Sequence, residues 1–250
     1  MGGVSRVIAL VDLDDTLFQT RRKCPANVDE ARLAPMAYAR DGSPLSFATP
    51  RQMNFLQWLG ETTRLIPVTA RSLGALRRVH LPLGTAICAH GGVMLRGCGE
   101  PDPEWAERMN EAAAKVAPVL ANLVEAITCT AGPEPVSVRI LSEADTPLYV
   151  LAKHGRADEA ALSAVLDAAV PEPPAGWTVH RNGNNAAYLP PHLGKEKAVA
   201  ALLPSLRAEH PDAAVIGIGD SLTDAPFMAL CDFAMLPTRS QLAERLLGAR

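Results

Sequence analysis

The 250-residue chain is 48% hydrophobic and 20% charged, and it carries a formal net charge of −3 with a sequence pI of about 6.1. This composition predicts a globular protein of one large or two small domains, and it excludes a strongly basic nucleic-acid-binding surface. The five cysteines are scattered and form no CxxC pair, which favours thiols in a reducing compartment. The apolar run near the N-terminus is too short for a signal peptide or a membrane span, so we expect a cytoplasmic protein.

The first part of the chain alternates predicted strands and helices. The runs RVIALV (6–11) and RLIPVTAR (64–71) are typical of strands that are buried on both faces of a parallel sheet. Between them, the Asp-Gly pair of YARDGSPLSF (38–47) predicts a small hairpin, and Thr49-Pro50 predicts the start of a helix. A short helix over SLGALRRV is expected to follow, and then TAICAHGGVML is expected to form a third strand that leads into a glycine turn.

The middle of the chain has a different order of elements. A helix is predicted over residues 104–127, and Pro118 is expected to bend or break it. Two adjacent strands, PVSVRIL and PLYVLAK, are followed by the amphipathic helix RADEAALSAVLDAAV. The segment GWTVHRNGNNAAYLP then predicts a hairpin around an Asn-Gly turn. Helices combined with adjacent antiparallel strands predict an α+β module of order αββαββ.

After Pro190-Pro191 the alternating order returns, with three predicted helices that enclose two short strands. We therefore predict an α/β fold, with a Rossmann-like, doubly wound, mainly parallel sheet as its core. The α+β module is inserted into this core. The core is assigned to residues 1–97 and 190–250, and the inserted module to residues 98–189, because Pro/Gly-rich segments lie at both joins.

Polar motifs follow three of the predicted buried strands: DLDDT (12–16), TAR (69–71) and GDSLTD (219–224). Ligands bind at the carboxyl edge of the strands in open α/β sheets, so we expect these motifs to meet in one crevice. Four aspartates gathered there would repel one another unless a cation were bound. A hard divalent ion such as Mg²⁺, which prefers oxygen ligands, fits this set.

The spacing of Asp12 and Asp14 adds a second clue. Residues two apart on an extended chain point the same way, so one carboxylate can act as a nucleophile while the other transfers protons. Carboxylates are known covalent nucleophiles in phosphoryl chemistry. Phosphoryl transfer depends mainly on positioning and on neutralising charge, which Thr69, Lys195 and a metal ion would supply.

These motifs resemble those of the haloacid dehalogenase superfamily of aspartate-nucleophile phosphatases. The family's DxDxT motif matches DLDDT, its Ser or Thr at a strand end matches Thr69, its helix-opening lysine matches Lys195, and its closing acids match GDSLTD. The inserted module resembles the type-C2 cap of subfamily IIB. That cap occurs in sucrose-phosphate and mannosylglycerate-phosphate phosphatases and in phosphomannomutases. The chain departs from the family pattern at three positions: Asp15 stands where glycine is common, His90 where relatives often have Asn-Gly, and Thr223 where asparagine is usual.

The resemblance implies a role for each matching residue. Asp12 would attack the phosphorus and become an aspartyl-phosphate, and Asp14 would protonate the leaving alcohol and then deprotonate water. Mg²⁺ would be held by Asp12, by the backbone carbonyl of Asp14 and by Asp220, with Asp224 as a further or indirect ligand. The substrate-binding set would be Thr69, Ala70, Arg71 and Lys195, joined by Arg181 and Asn185 in the inserted module. The expected substrate is a small phosphate ester, most simply a sugar phosphate; neither nucleic acid nor a membrane is expected as a partner.

Several alternatives stay open on sequence grounds. A phosphomutase of the phosphomannomutase type would pass the phosphoryl group to a sugar instead of to water. A non-catalytic binding protein could keep the same fold. Lys197 competes with Lys195 for the catalytic position, and Arg71 can be read either as a residue that steers anionic substrate or as one half of a surface salt bridge.

Overall fold

The computed structural model describes residues 7–248. Three short 3₁₀ helices, Arg21–Lys23, Glu30–Arg32 and Ala89–Gly91, accompany the regular elements. The strands are β1 (Val7–Val11), β2 (Gln19–Thr20), β3 (Ala34–Tyr38), β4 (Pro44–Ala48), β5 (Arg64–Pro67), β6 (Ala86–Cys88), β7 (Val93–Leu95), β8 (Val136–Glu143), β9 (Thr146–His154), β10 (Thr178–Asn182), β11 (Asn185–Leu189), β12 (Ala214–Ile218) and β13 (Phe233–Met235). The helices are α1 (Pro50–Thr62), α2 (Leu73–Leu76), α3 (Pro103–Ala131), α4 (Glu159–Ala169), α5 (Lys195–Glu209), α6 (Ala225–Met228) and α7 (Gln241–Leu247).

The chain divides into two compact units. One unit runs to Asp102 and resumes at Lys195, and the other is Pro103–Gly194; the sequence-based boundaries were 98 and 189. The first unit contains a parallel sheet, and the second has the element order α3-β8-β9-α4-β10-β11 around an antiparallel sheet. The predicted fold class, an α/β core with an inserted αββαββ module, is confirmed.

The core sheet of the first unit has the strand order β13-β12-β1-β5, and all its pairings are parallel. β1 lies between β12 and β5, and four of its five residues are buried, as its continuous apolar sequence predicts. Val11 pairs with Ile218 on one side and with Pro67 on the other. β12, β1 and β5 therefore end at the same level, and the segments that follow them begin side by side.

A smaller sheet of order β2-β4-β3 precedes the first helix. The predicted hairpin is confirmed as β3 and β4, with Gly42 at a φ of +83° in the turn between them. The Thr49 side chain accepts a hydrogen bond from the Gln52 amide, and the Gln52 side chain accepts one from the Thr49 amide. This capping box, with Pro50 at the first helical position, fixes the start of α1.

The third predicted strand is found as β6, and it leads into a turn that contains Gly91 and Gly92, as expected. The residues after this turn form β7, which pairs with β6 as a hairpin. Ala89 and His90 lie between them with φ values of 51° and 55°, so the extended conformation stops there. An isolated parallel bridge between Val68 and Ile87 places β6 beside the end of β5.

The antiparallel sheet of the second unit, of order β10-β11-β9-β8, packs one face against α3 and α4. Of the bend or break predicted at Pro118, the break is wrong, because α3 is one helix that contains this residue. Residues on both sides of Pro118 are buried, among them Met109 and Leu120, and this packing offsets the missing backbone hydrogen bond. Among residues 7–248, α3 is the one helix that is long and apolar enough to cross a membrane. One face of α3 is buried against the sheet, however, as in the core helix of a globular domain.

Tyr188 gives a stability prediction for this unit. It lies in the core cluster on β11 at 1% exposure, and its hydroxyl has no hydrogen-bond partner among the described residues. An unsatisfied buried hydroxyl costs free energy, so Tyr188→Phe is expected to leave the free energy of unfolding unchanged or to raise it by up to about 1 kcal/mol. Urea denaturation measures the difference, and a loss above about 1 kcal/mol would contradict it.

Candidate active site

The ends of β1, β5 and β12 bring the sequence motifs together. The Asp12 amide donates to the Ile218 carbonyl at 2.8 Å, and the Val68 amide donates to the Val11 carbonyl at 2.8 Å. The parallel register thus continues past the last paired residues of each strand. The motif that begins at Asp12 lies between the one at Thr69 and the one at Asp220, as expected for the carboxyl edge of an open parallel sheet.

Asp12, Lys195 and Asp224 form a buried ionic cluster. Lys195 opens α5, and its Nζ lies 2.6 Å from Asp12 Oδ1 and 2.6 Å from Asp224 Oδ1. The three side chains are exposed by only 7%, 8% and 1% respectively. Buried charges are tolerated when they are paired and hydrogen-bonded, and this cluster satisfies both conditions. The structure therefore places Lys195 in contact with Asp12, whereas Lys197 contacts Glu196 at 3.7 Å and is exposed by 44%.

The loop after β12 holds Asp224 in place. Asp224 Oδ2 accepts hydrogen bonds from the Ser221 amide at 3.0 Å and from the Ser221 hydroxyl at 2.7 Å. A Cβ atom at Gly219 would lie 2.5 Å from Asp224 Cβ, closer than real contacts allow. The glycine in GDSLTD is therefore required by the close approach of Asp224 to the backbone. Thr223, one of the departures from the family pattern, contacts the Ser221 hydroxyl at 2.8 Å.

Thr16 links the two acidic segments, and sequence reasoning gave it no role. Its hydroxyl lies 3.1 Å from Asp12 Oδ2 and 3.3 Å from Asp220 Oδ1, so it can donate to either carboxylate. The side chain is 5% exposed. The signal that could have identified it is the final threonine of the DLDDT motif.

The cluster carries more negative charge than one lysine can neutralise. Burial raises the pKa of Asp12 above its usual range, and the charge of Asp224 adds to this effect although Lys195 opposes it. Burial, followed by the charges of Asp224 and Asp15, raises the pKa of Asp220 to about 6. Burial also acts on Asp224, but the charge and hydrogen bond of Lys195 outweigh it, and the pKa of Asp224 stays below its usual range.

This charge imbalance and the available oxygen atoms fit a divalent cation. One carboxylate oxygen from each of Asp12, Asp220 and Asp224 lies within 4.8 Å of the others. Carboxylate oxygens are the ligands that hard divalent cations prefer, and a bound cation would favour the ionised forms of Asp12 and Asp220. Both oxygens of Asp12 and both oxygens of Asp224 accept hydrogen bonds from protein groups, so these hydrogen bonds do not rank the two carboxylates as direct ligands.

Asp14 and Arg71 form a second ion pair at this edge. Arg71 Nε donates to Asp14 Oδ2 at 2.7 Å, and Nη2 donates to Asp14 Oδ1 at 2.6 Å. The Asp14 side chain is 39% exposed, whereas Arg71 is 12% exposed. Thr69 is buried at 1%, and its hydroxyl accepts a hydrogen bond from the Arg71 amide at 3.2 Å. Ala70 lies between them and is half-buried.

The two candidate residues of the second unit lie on opposite faces of its sheet. Arg181 pairs with Ala186, whose side chain belongs to the core beneath the helices, and cross-strand partners share a face. Arg181 accordingly forms an ion pair with Asp167 of α4 at 2.6 Å. Asn185 follows on the other face, where its amide donates to Asn184 Oδ1 at 3.3 Å.

Asp15 occupies an unusual backbone conformation. Its φ is 64°, in the left-handed region where glycine is favoured, and its carboxylate pairs with Lys23. A residue with a Cβ pays about 1–2 kcal/mol in this region, although aspartate is tolerated better than alanine. This backbone conformation explains why glycine is common at this position in the family that the motifs resemble.

This conformation predicts a difference between two variants. Asp15→Gly and Asp15→Ala both lose the pairing with Lys23, so their comparison isolates the backbone effect. We expect Asp15→Ala to be less stable than Asp15→Gly by about 1 kcal/mol, even though glycine also gains entropy in the unfolded chain. Urea denaturation measures both variants, and equal stabilities would show that the left-handed conformation carries no cost here.

No protein-family model matches the chain, and no curated protein matches it by sequence. Several solved structures resemble it over most of its length. A sucrose-phosphatase from Synechocystis sp., in complex with sucrose and phosphate, shares 15% identity at a TM-score of 0.57, covering 98% of this chain and 90% of that one. A trehalose-6-phosphate phosphatase related protein shares 19% identity at a TM-score of 0.51, with coverages of 92% and 85%.

The third is the C-terminal domain of trehalose-6-phosphate phosphatase from C. albicans, with 15% identity, a TM-score of 0.54 and coverages of 89% and 73%. At these identities the likeness concerns the fold. The fold agrees with the resemblance carried by the four sequence motifs, which the structure gathers at the carboxyl edge of the core sheet. The chain has the fold of these phosphatase structures.

Proposed function

We propose that the protein is a Mg²⁺-dependent phosphatase that hydrolyses a small phosphorylated metabolite, a sugar phosphate, through an aspartyl-phosphate intermediate. The observation that carries this proposal is the buried Asp12 carboxylate, which Lys195 and Thr16 hold at the end of β1. A second carboxylate, Asp14, lies two residues away and is much more exposed. The two carboxylates thus have the different environments that different chemical roles require.

The nucleophilic step is assigned to Asp12. Its contacts with Lys195 and Thr16 restrict the carboxylate to one orientation, which lowers the entropic cost of an in-line attack on phosphorus. Attack forms the bond between the carboxylate oxygen and phosphorus and breaks the bond between phosphorus and the alcohol oxygen. Lys195 stays positively charged, because Asp12 and Asp224 outweigh the effect of burial and keep its pKa above its usual range.

Asp14 is assigned the proton transfers. As an acid it gives a proton to the leaving alcohol, and as a base it then takes one from the water that cleaves the aspartyl-phosphate. Thr69 is assigned a hydrogen bond to the phosphoryl group. The Mg²⁺ ion would be held by Asp12, by Asp220 and by the Asp14 backbone carbonyl, and Asp224 would orient the loop that carries Asp220. A bound Mg²⁺ ion would offset the negative charge of the phosphoryl oxygens.

The substrate class is drawn from the neighbours of known structure. One is bound to sucrose and phosphate, and the other two are described as trehalose-6-phosphate phosphatases or their relatives. We extend to this chain only what they share, which is a phosphorylated sugar. Arg181 and Asn185 stay predictions as substrate contacts. Asn185→Ala is expected to change the ratio of kcat/KM between two sugar phosphates by about tenfold. Unchanged ratios would rule out Asn185 as a substrate contact.

We also propose a cytoplasmic location, which the thiol state of all five cysteines supports. The central test of the function is phosphate release from a panel of sugar phosphates, measured with Mg²⁺ and after its removal by a chelator. We expect release from at least one ester, and we expect the chelator to abolish it. Product analysis in the same reactions separates hydrolysis from a mutase, which would yield an isomerised sugar phosphate. Inertness toward the whole panel, with Mg²⁺ bound, would favour a binding protein.

A further inference from the structure

The Arg71 guanidinium is engaged on several sides. It donates two parallel hydrogen bonds to the Asp14 carboxylate, at 2.7 and 2.6 Å. Nη2 also lies 3.3 Å from the hydroxyl of Ser46 on β4, a side chain that is 1% exposed. The guanidinium carbon stands 5.2 Å from the centroid of the Phe18 ring, within the range of a cation–π contact. The loop after β1, which holds Asp14 and Phe18, and strand β4 thus both contact this one group.

These contacts argue against a role for Arg71 in binding phosphate. A guanidinium recognises phosphate through its planar fork of N–H donors, and here one fork is filled by Asp14. The fork fixes the plane of the carboxylate as well as its position. Each carboxylate oxygen has a second lone pair, so the clamped Asp14 can still exchange a proton with a leaving group or a water.

The exposure of Asp14 explains why a clamp is useful. At 39% exposure, its side chain has room for other rotamers, and a displacement of about 1 Å in a proton-transfer group can cost about 10²-fold in rate. Arg71 is held by Ser46 and Phe18 and is only 12% exposed, so it is a rigid support for Asp14. The β3–β4 hairpin, which carries no catalytic motif, supplies part of this support.

We propose that Arg71 is a positioning residue that holds the Asp14 carboxylate in the orientation needed for proton transfer to the leaving oxygen, and that Ser46 and Phe18 hold Arg71. This inference rests on the proposed function, because it assumes that Asp14 is the proton donor. A positioning role and a substrate-binding role make different predictions. The positioning role predicts that replacing Arg71 lowers kcat/KM only for substrates whose leaving group needs a proton.

The test compares two leaving groups. An alkyl sugar phosphate needs protonation of its leaving oxygen, whereas p-nitrophenyl phosphate has a good leaving group that does not. The value of kcat/KM reports events up to departure of that group. For Arg71→Lys, which keeps the charge but loses the fork, we expect kcat/KM to fall by about 10²-fold for the fastest sugar phosphate of the panel and by less than about fivefold for p-nitrophenyl phosphate. Ser46→Ala is expected to show the same discrimination with a smaller loss.

A double-mutant cycle and a control complete the design. Adding Arg71→Lys to Asp14→Asn is expected to cost no further activity toward the sugar phosphate, because the supported group is already gone. Arg78→Lys is the matched control, since that guanidinium donates to the backbone carbonyls of Tyr38 and Gly74 and contacts no residue of the site; both substrates are expected to keep their rates.

The outcomes separate the inference from the function on which it rests. Equal losses for the two substrates, or losses that multiply in the double variant, would overturn the positioning role and leave the phosphatase intact, with Arg71 binding phosphate directly. Absence of phosphate release from the wild-type protein would overturn both. A leaving-group discrimination that vanishes in the Asp14→Asn background supports both.

Discussion

Replacement of Asp12 by asparagine is expected to lower metal-dependent phosphate release by about 10⁴-fold or more, because an amide cannot form the covalent intermediate that the carboxylate forms. The shape of the side chain is kept, and the asparagine oxygen can still accept the hydrogen bond from Lys195 that Asp12 Oδ1 accepts at 2.6 Å. The loss would therefore reflect chemistry and not a displaced neighbour.

Stability measurements make this prediction sharper. Because burial and the nearby Asp224 raise the pKa of Asp12, an ionised carboxylate at this position is unfavourable without a bound cation. Asp12→Asn removes that charge, so its melting temperature in metal-free buffer is expected to equal or exceed that of the wild type. Asp41→Asn, in the exposed turn of the β3–β4 hairpin, is the matched control and is expected to keep full activity. Phosphate release that survives in Asp12→Asn would rule out Asp12 as the nucleophile.

The location of the site was predictable because it follows from a property of parallel sheets. Motifs placed directly after buried strands meet at one edge, whatever the details of the connecting segments. This is why Asp12, Thr69 and Asp220 could be grouped from the sequence. Lys195 could be preferred over Lys197 because it opens a helix, and the structure places its ammonium group against Asp12.

The structural features that the sequence analysis did not predict depend on tertiary contacts, which leave no local pattern in the sequence. The position of Ser46 beside Arg71 is set by how the β3–β4 hairpin packs, and a hairpin sequence specifies the turn but not its neighbours. The third predicted strand ends at Cys88 because Ala89 and His90 adopt left-handed conformations, which non-glycine residues seldom show and which no local pattern predicts. The continuity of α3 through Pro118 depends on buried residues along its whole length, which outweigh a local helix-breaking signal.

Lys195 yields the largest expected effect on stability. Its ammonium group lies 2.6 Å from a carboxylate oxygen of Asp12 and 2.6 Å from one of Asp224, and all three side chains are buried. Lys195→Met keeps much of the side-chain volume, but it removes the ammonium group that lies 5.8 Å from the centroid of the Phe227 ring and leaves two buried carboxylates without their partner. Removing one member of a buried ion pair costs about 3–5 kcal/mol, and we expect a loss of this size in metal-free buffer at neutral pH. Lys197→Met, at an exposed position two residues away, is expected to change the stability by less than about 0.5 kcal/mol.

The pH dependence of this loss distinguishes charge from packing. Without Lys195, the pKa of Asp12 rises further above its usual range and the pKa of Asp224 rises from its lowered value, because the charge of the lysine no longer opposes the effect of burial. A carboxyl group with a raised pKa destabilises the fold once it ionises, so the penalty is absent below about pH 4 and grows as the pH rises through the raised values. Urea denaturation of the wild type and of Lys195→Met, at pH values from about 4 to neutral, measures the difference in the free energy of unfolding. A gap that narrows toward acid pH assigns the role of Lys195 to charge neutralisation at Asp12, whereas a constant gap would assign it to packing alone.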